Sequence, residues 1–124
     1  MLDFENKKIL KLHQSEKTPK YIEEMVSKIS GEEIIGTYKT IRDSIIFTTK
    51  RLIIMNIDGP TGLKKEITVL PYKAIQILQI KTAGLTDIDS ELKLWFNGIG
   101  PVTLEFTTGT NIKRICEVIS YYTI

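Results

Sequence analysis

Apolar and polar residues alternate through LKLWFNGIGPVTLEF, residues 92–106, around a short glycine-containing turn. Two alternating runs joined in this way are typical of a β-hairpin. With Gly98-Ile99-Gly100 as the loop, Lys93 and Glu105 face each other on the outer side. The inner side then carries three apolar pairs: Phe96 with Val102, Leu94 with Leu104, and Leu92 with Phe106. A slip by one residue would turn the charged pair into the core, so the pattern predicts which face is buried.

Before this hairpin lie five more runs of strand-forming residues separated by turn signals, at 34–41, 44–48, 51–57, 66–70 and 75–80. In the last of these the apolar phase slips between Ile77 and Leu78, which indicates a bulge where the sheet bends. Residues 111–124 predict one amphipathic helix, whose apolar face contains Ile112, Ile115, Cys116, Ile119 and Tyr122. We therefore predict a mainly β fold, a seven-stranded bent antiparallel barrel capped by one C-terminal helix.

Residues 1–30 have a different pattern and predict a helical N-terminal lead ahead of the barrel. Thr18 followed by Pro19 is typical of a helix start. An apolar stripe over 19–29 then consists of Ile22, Met25, Val26 and Ile29. Because Ser30-Gly31 is a short link, we expect this helix to pack on its own barrel and not on a neighbouring subunit. A second short helical segment is predicted further upstream from Leu2, Phe4, Ile9, Leu10 and Leu12.

Composition and charge exclude several classes of protein. The 124 residues are 42% hydrophobic and 26% charged, which is typical of a single globular domain. The net charge of +2, with acids interleaved among the bases, argues against a nucleic-acid partner. The one cysteine, Cys116, cannot form an internal disulfide, and no secretion signal or 18-residue apolar run is present. These observations predict a cytoplasmic protein.

No combination of side chains points to catalysis, a metal or a cofactor. The sequence has no recognisable serine or cysteine nucleophile motif for which the only histidine, His13, could act as a base. Cys116 lies on the apolar stripe of its helix. The acids of Asp87-Ile-Asp-Ser-Glu91 resemble the start of a calcium loop, but Leu92 and Gly98 stand where that loop needs glycine and glutamate. The glycines lack the spacing of a phosphate-binding loop. We predict a non-enzymatic protein.

Two surfaces are candidates for binding. One is a basic rim, predicted because six cations lie at strand ends or turns: Lys39, Arg42, Lys50, Arg51, Lys64 and Lys65. Such a rim can hold an anionic headgroup or a phosphorylated ligand, although scattered solubilising charge is an alternative explanation. The other is the outer face around Trp95, with Lys93 and Glu105. An outward tryptophan is a typical contact anchor. Cover by the N-terminal helix of the same chain is the alternative.

Several short motifs resemble the bacterial pleckstrin-homology (PH) domain family in their order along residues 31–124. They include YKTIRD at 38–43, FTTKRLI at 47–53, TGLKKE at 61–66, TAG at 82–84 and DIDSELKL at 87–94. The resemblance implies a seven-stranded barrel with a capping helix, no catalytic residues, and self-association into ring-like homo-oligomers. It leaves the partner open, whether another protein or, peripherally, an anionic lipid. Eukaryotic relatives hold inositol lipids with a long basic loop between the first two strands, whereas this chain has only residues 41–44 there.

Overall fold

The computed structural model describes residues 8–15, 17–58, 60, 64–81, 90–107 and 112–123. In chain order the elements are β1 (Lys8–Ser15), α1 (Lys20–Ser27), β2 (Ile34–Lys39), β3 (Asp43–Thr48), β4 (Arg51–Asp58), β5 (Lys64–Pro71), a 3₁₀ turn (Tyr72–Ala74), β6 (Ile75–Lys81), β7 (Ser90–Phe96), β8 (Gly100–Phe106) and α2 (Ile112–Thr123). The seven strands predicted between residues 34 and 106 are confirmed as β2 to β8.

The sheet has an eighth strand that the sequence pattern did not predict. Its order is β5-β4-β3-β2-β1-β8-β7-β6, so β1 lies in the middle. There β1 pairs antiparallel with β2 and parallel with β8. The prediction of a helical segment is therefore wrong for Lys8–Ser15, and these residues belong to the sheet. Leu2 and Phe4, also assigned to that helix, lie outside the described residues.

The sheet curls around the larger of two buried apolar clusters, which both of its halves and α2 share. Phe47 of β3, Leu94 of β7 and Ile115 of α2 belong to one buried cluster. The ring of Tyr38 on β2 packs edge-on against Phe106 on β8, with 5.1 Å between ring centroids. Strands β5 and β6 form the two edges, and α2 packs against β6 and the 3₁₀ turn. The architecture is thus the predicted bent barrel, partly open and capped by the C-terminal helix.

Helix α1 packs on the outer face of its own sheet, as predicted. Ile22 and Val26 are buried against Ile46 of β3, and Ile53 and Met55 of β4 complete this second cluster. The helix is shorter than predicted and Pro19, not Thr18, occupies its N-cap position. The Thr18 hydroxyl instead shares a hydrogen bond with the hydroxyl of Thr37 on β2. Thr18 therefore ties the start of α1 to the sheet.

Two details of the predicted pattern need correction. The irregularity in β6 lies between Ile75 and Ile77, slightly before the predicted phase slip. On α2, Ile112, Ile115 and Ile119 are buried as predicted, but Tyr122 is 45% exposed. The apolar face of α2 therefore leaves the core before the end of the helix.

Replacing Ile22 with alanine should lower the free energy of unfolding by about 2–5 kcal/mol, because its side chain is fully buried between α1 and the sheet. The neighbouring Tyr21 on the same helix is 59% exposed and provides a matched control. We expect Tyr21→Ala to change the free energy by less than about 0.5 kcal/mol. Urea denaturation checks both variants, and equal losses would contradict the docking of α1 on this sheet.

Candidate functional site

The six basic residues predicted to share one rim lie at opposite ends of the sheet. Lys39 and Arg42 lie where β2 turns into β3, and Lys64 and Lys65 lie at the same end, opposite the last residues of β4. Lys50 in the β3–β4 turn and Arg51 at the start of β4 lie at the other end. Four of the six therefore share one end of the sheet, and the structure separates them from the other two.

The predicted register of the β7–β8 hairpin is wrong by two residues, although its buried face is right. Leu94 pairs with Val102 and Leu92 with Leu104, so the inward residues remain apolar. The three-residue loop is Asn97-Gly98-Ile99 and not Gly98-Ile99-Gly100, because Phe96 already pairs with Gly100. Gly98 and Gly100 make this tight turn possible, with φ of 92° and 79° in the left-handed region.

This shift changes the predicted charge pairing on the outer face. Lys93 lies opposite Thr103, and Glu105 lies opposite Glu91. Two like charges in direct opposition are unfavourable across a sheet. On the other side of Glu91 the partner is Lys81 of β6, which supplies a positive charge. Lys93 and Glu105 therefore share the outer face of β7 and β8 without forming the predicted pair.

Trp95 lies at the centre of an apolar row on this outer face. Its partner on the edge strand β6 is Ile77, which is 54% exposed, and its partner on β8 is Pro101. The Lys93 ammonium lies 5.7 Å from the centroid of the Trp95 ring, a cation–π contact. Helix α1 covers β3 and β4, on the other half of the sheet. The row Ile77-Trp95-Pro101 is called the tryptophan row below.

A buried ion pair joins the α1–β2 link to the β3–β4 turn. The Arg51 guanidinium donates from Nε and Nη2 to the two Glu32 carboxylate oxygens at 2.9 and 3.0 Å. The Thr48 hydroxyl donates to Glu32 Oε2 at 2.7 Å. The Glu32 side chain is completely buried, whereas that of Arg51 is 17% exposed. This bidentate pair holds the turn against the link, and sequence reasoning missed it because the partners are far apart in the chain.

A cavity of about 490 Å³ opens beside this ion pair. It lies between the α1–β2 link, the β3–β4 turn, the end of β5 with the 3₁₀ turn, and the end of α2. Tyr72 is almost fully buried beside it, and burial raises the pKa of its phenol well above the usual value. Sequence reasoning did not predict this cavity. We call it the link cavity.

Two further reactive side chains are His13 and Cys116. His13 is exposed on β1. Cys116 packs against the core, and burial, with a smaller contribution from Glu117, raises the pKa of its thiol to about 11. The thiol therefore stays protonated at neutral pH and is a poor nucleophile.

Within the described part of the chain, no group of three or more His, Cys, Asp or Glu side chains is placed to hold a metal ion. Asp87 and Asp89 of the acidic run lie outside it. Among these same residues, no helix is both long and apolar enough to cross a membrane.

A mainly antiparallel sheet, curled around an apolar core and capped by a C-terminal helix, defines a PH-like module. The sequence matches the model of the bacterial PH domain family over residues 3–123. The chain therefore belongs to that family.

Relatives and solved structures agree with this assignment. Two uncharacterized proteins of Bacillus subtilis (strain 168) are similar: YjqA is 39% identical over 94 residues, covering 74% of this chain and 75% of YjqA. YozO is 36% identical over 93 residues, covering 74% of this chain and 79% of YozO.

Among crystal structures, a DUF1696 family protein with a pleckstrin-homology domain from Shewanella loihica PV-4 superimposes with a TM-score of 0.75. It is 31% identical, and the match covers 94% of this chain and all of that one. A pleckstrin homology domain from Shewanella amazonensis SB2B gives a TM-score of 0.63 at 38% identity, covering 89% of this chain and 91% of that one.

Proposed function

We propose that this chain is a non-catalytic interaction module that assembles into a ring-like homo-oligomer and presents a surface to another protein. The tryptophan row is the observation that carries the proposal. A half-buried tryptophan beside a half-exposed isoleucine offers a large apolar contact area on a rigid sheet. The Lys93 side chain, lying over the ring, restrains Trp95 before any partner arrives.

The position of the row at a sheet edge strengthens the proposal. Ile77 belongs to β6, which is an end strand in the order of the sheet. Edge strands present backbone groups that a neighbouring chain can pair with. A ring requires the surface of one copy to meet a different surface of the next copy. The tryptophan row at one edge of the sheet supplies one of these two surfaces.

The test is the solution mass of wild-type protein and of an Ile77→Lys/Trp95→Ala variant, measured by light scattering at tens of micromolar. We expect the wild type to exceed the monomer mass and the variant to approach it. Tyr21→Ala and Ile41→Ala remove exposed apolar side chains elsewhere, and should leave the mass unchanged. A wild-type protein that is strictly monomeric would contradict the proposal.

A second candidate function is peripheral binding of an anionic headgroup or phosphorylated ligand at the end that carries Lys39, Arg42, Lys64 and Lys65. Ile41, at the tip of the β2–β3 turn, is fully exposed beside these cations. An apolar tip flanked by cations is suited to an anionic lipid surface. Flotation with anionic vesicles at low and moderate salt tests it, because screening weakens such binding. Absence of flotation at both salts would remove the lipid form.

A further inference from the structure

The link cavity combines apolar walls with a positively charged mouth. Tyr72 is almost fully buried in its lining, while Ile29 and Tyr122, which also line it, are 39% and 45% exposed. Lys50 and Lys73 are exposed and line it as well. Its volume of about 490 Å³ lies within the range of small-molecule sites. The cavity is therefore large enough for an organic molecule with both apolar and polar parts.

The charges of the lining favour an anion. Its described residues include three cations, Lys50, Arg51 and Lys73, against one carboxylate, Glu32. Both oxygens of that carboxylate already accept hydrogen bonds from Arg51, and one also accepts from Thr48. Because the Arg51 guanidinium balances its charge, Glu32 offers little repulsion to an incoming anion.

The hydrogen bonds already made by the cations indicate which kind of anion the cavity can bind. The Arg51 fork is already engaged in a bidentate pair, so Lys50 and Lys73 are the cations that remain to meet a ligand. Lysine ammonium groups act as point charges and suit a single anionic group. Tyr122 and Ile29 would cover an apolar body and lose their exposure to water.

We propose that the link cavity binds a small organic acid, with one carboxylate between Lys50 and Lys73 and an apolar ring or chain against Ile29 and Tyr122. This site lies at the opposite end of the sheet from Lys39, Arg42, Lys64 and Lys65. It is also distinct from the tryptophan row, which none of the lining residues joins. The inference is therefore independent of the proposed oligomer.

The test uses 4-phenylbutyrate as the probe, with amide shifts followed by ¹⁵N–¹H NMR on the full chain. We expect shifts concentrated at Lys50, Tyr72, Lys73 and Tyr122. A Lys50→Gln/Lys73→Gln variant should bind about fivefold more weakly, as expected for the loss of two exposed charge contacts. Lys64→Gln/Lys65→Gln removes the same charge from the other end of the sheet, and should bind as the wild type does.

Two further probes test separately what the carboxylate and the apolar part of the ligand contribute to binding. The neutral alcohol 4-phenylbutanol should bind more weakly than the acid, and inorganic phosphate should leave the Tyr122 amide unshifted. Equal binding of acid and alcohol, or phosphate shifting the same amides with the same affinity, would overturn the proposal. So would a lack of shifts up to about 10 mM 4-phenylbutyrate, which is ten times a dissociation constant of about 1 mM. A Lys50→Gln/Lys73→Gln variant that lowers the solution mass without affecting 4-phenylbutyrate binding would assign the cavity to a second copy instead.

Discussion

Deleting residues 1–15 should abolish cooperative folding, because it removes β1 from the middle of the sheet. Strands β2 and β8 both pair with β1, so the deletion removes one partner from each of them and divides the sheet in two. It also removes Ile9 and Leu12, which are 3% and 0% exposed, from the core. Loss of amide dispersion in the ¹⁵N–¹H spectrum and of a sigmoidal melting curve would show this outcome.

Point variants in β1 separate the role of the strand from the effect of a large deletion. Leu12→Ala should cost about 2–5 kcal/mol of the free energy of unfolding. His13, the next residue in the same strand, is exposed, so His13→Ala should cost less than about 0.5 kcal/mol. A truncated chain that retains its dispersed spectrum would contradict the central position of β1.

Replacing Arg51 with alanine should destabilise the protein by about 3–5 kcal/mol, because the Glu32 carboxyl group then stays buried without its main partner. The Thr48 hydroxyl alone cannot replace the two donors of the guanidinium. The midpoint of urea denaturation at constant slope measures the loss. A loss below about 1 kcal/mol would show that water reaches Glu32 more readily than its burial indicates.

The double variant Glu32→Leu/Arg51→Met distinguishes the loss of one partner of the ion pair from the loss of both. Replacing both charges with apolar groups of similar volume is often close to neutral, because the desolvation cost of the pair also disappears. We therefore expect the double variant to be more stable than Arg51→Ala. Lys50→Ala, an exposed neighbour in the same turn, should stay within about 0.5 kcal/mol of the wild type.

The faces of the strands could be predicted from the sequence, whereas their register could not. Alternation showed that Leu92, Leu94 and Phe96 point inward, and these residues are buried. A shift of two residues leaves alternation unchanged, so only the turn decides between the two registers. The turn conformation depends on backbone angles at Gly98 and Gly100 that a residue pattern does not encode.

Strand β1 was missed for a specific physical reason. Its pairing with β8 shifts between Ile9 and Leu12, and both residues are buried despite a spacing of three. A strand without such an irregularity alternates with a period of two. Spacing of three is a helical signal, so the irregularity makes a strand resemble a helix. The eighth strand and its central position could therefore not be read from the periodicity.

Some features of the candidate sites could be predicted from the sequence, and others could not. The outward position of Trp95 followed from strand alternation, but its neighbours Ile77 and Pro101 depend on register. The link cavity could not be predicted, because its lining comes from separate stretches of the chain. Glu32 and Arg51 are ordinary charged residues in the sequence, and only the fold brings their side chains together.

The central position of β1 has a consequence for synthesis on the ribosome. The first described strand pairs with the last one, Lys8 lying opposite Thr103. A nascent chain therefore carries β1 while residues 16–99 are made, before β8 emerges to complete the sheet. Contacts between such distant segments close long loops and slow folding. Until β8 is made, β2 and the strands that follow it must cover the apolar residues of β1. Aggregation competes with folding most strongly at this stage.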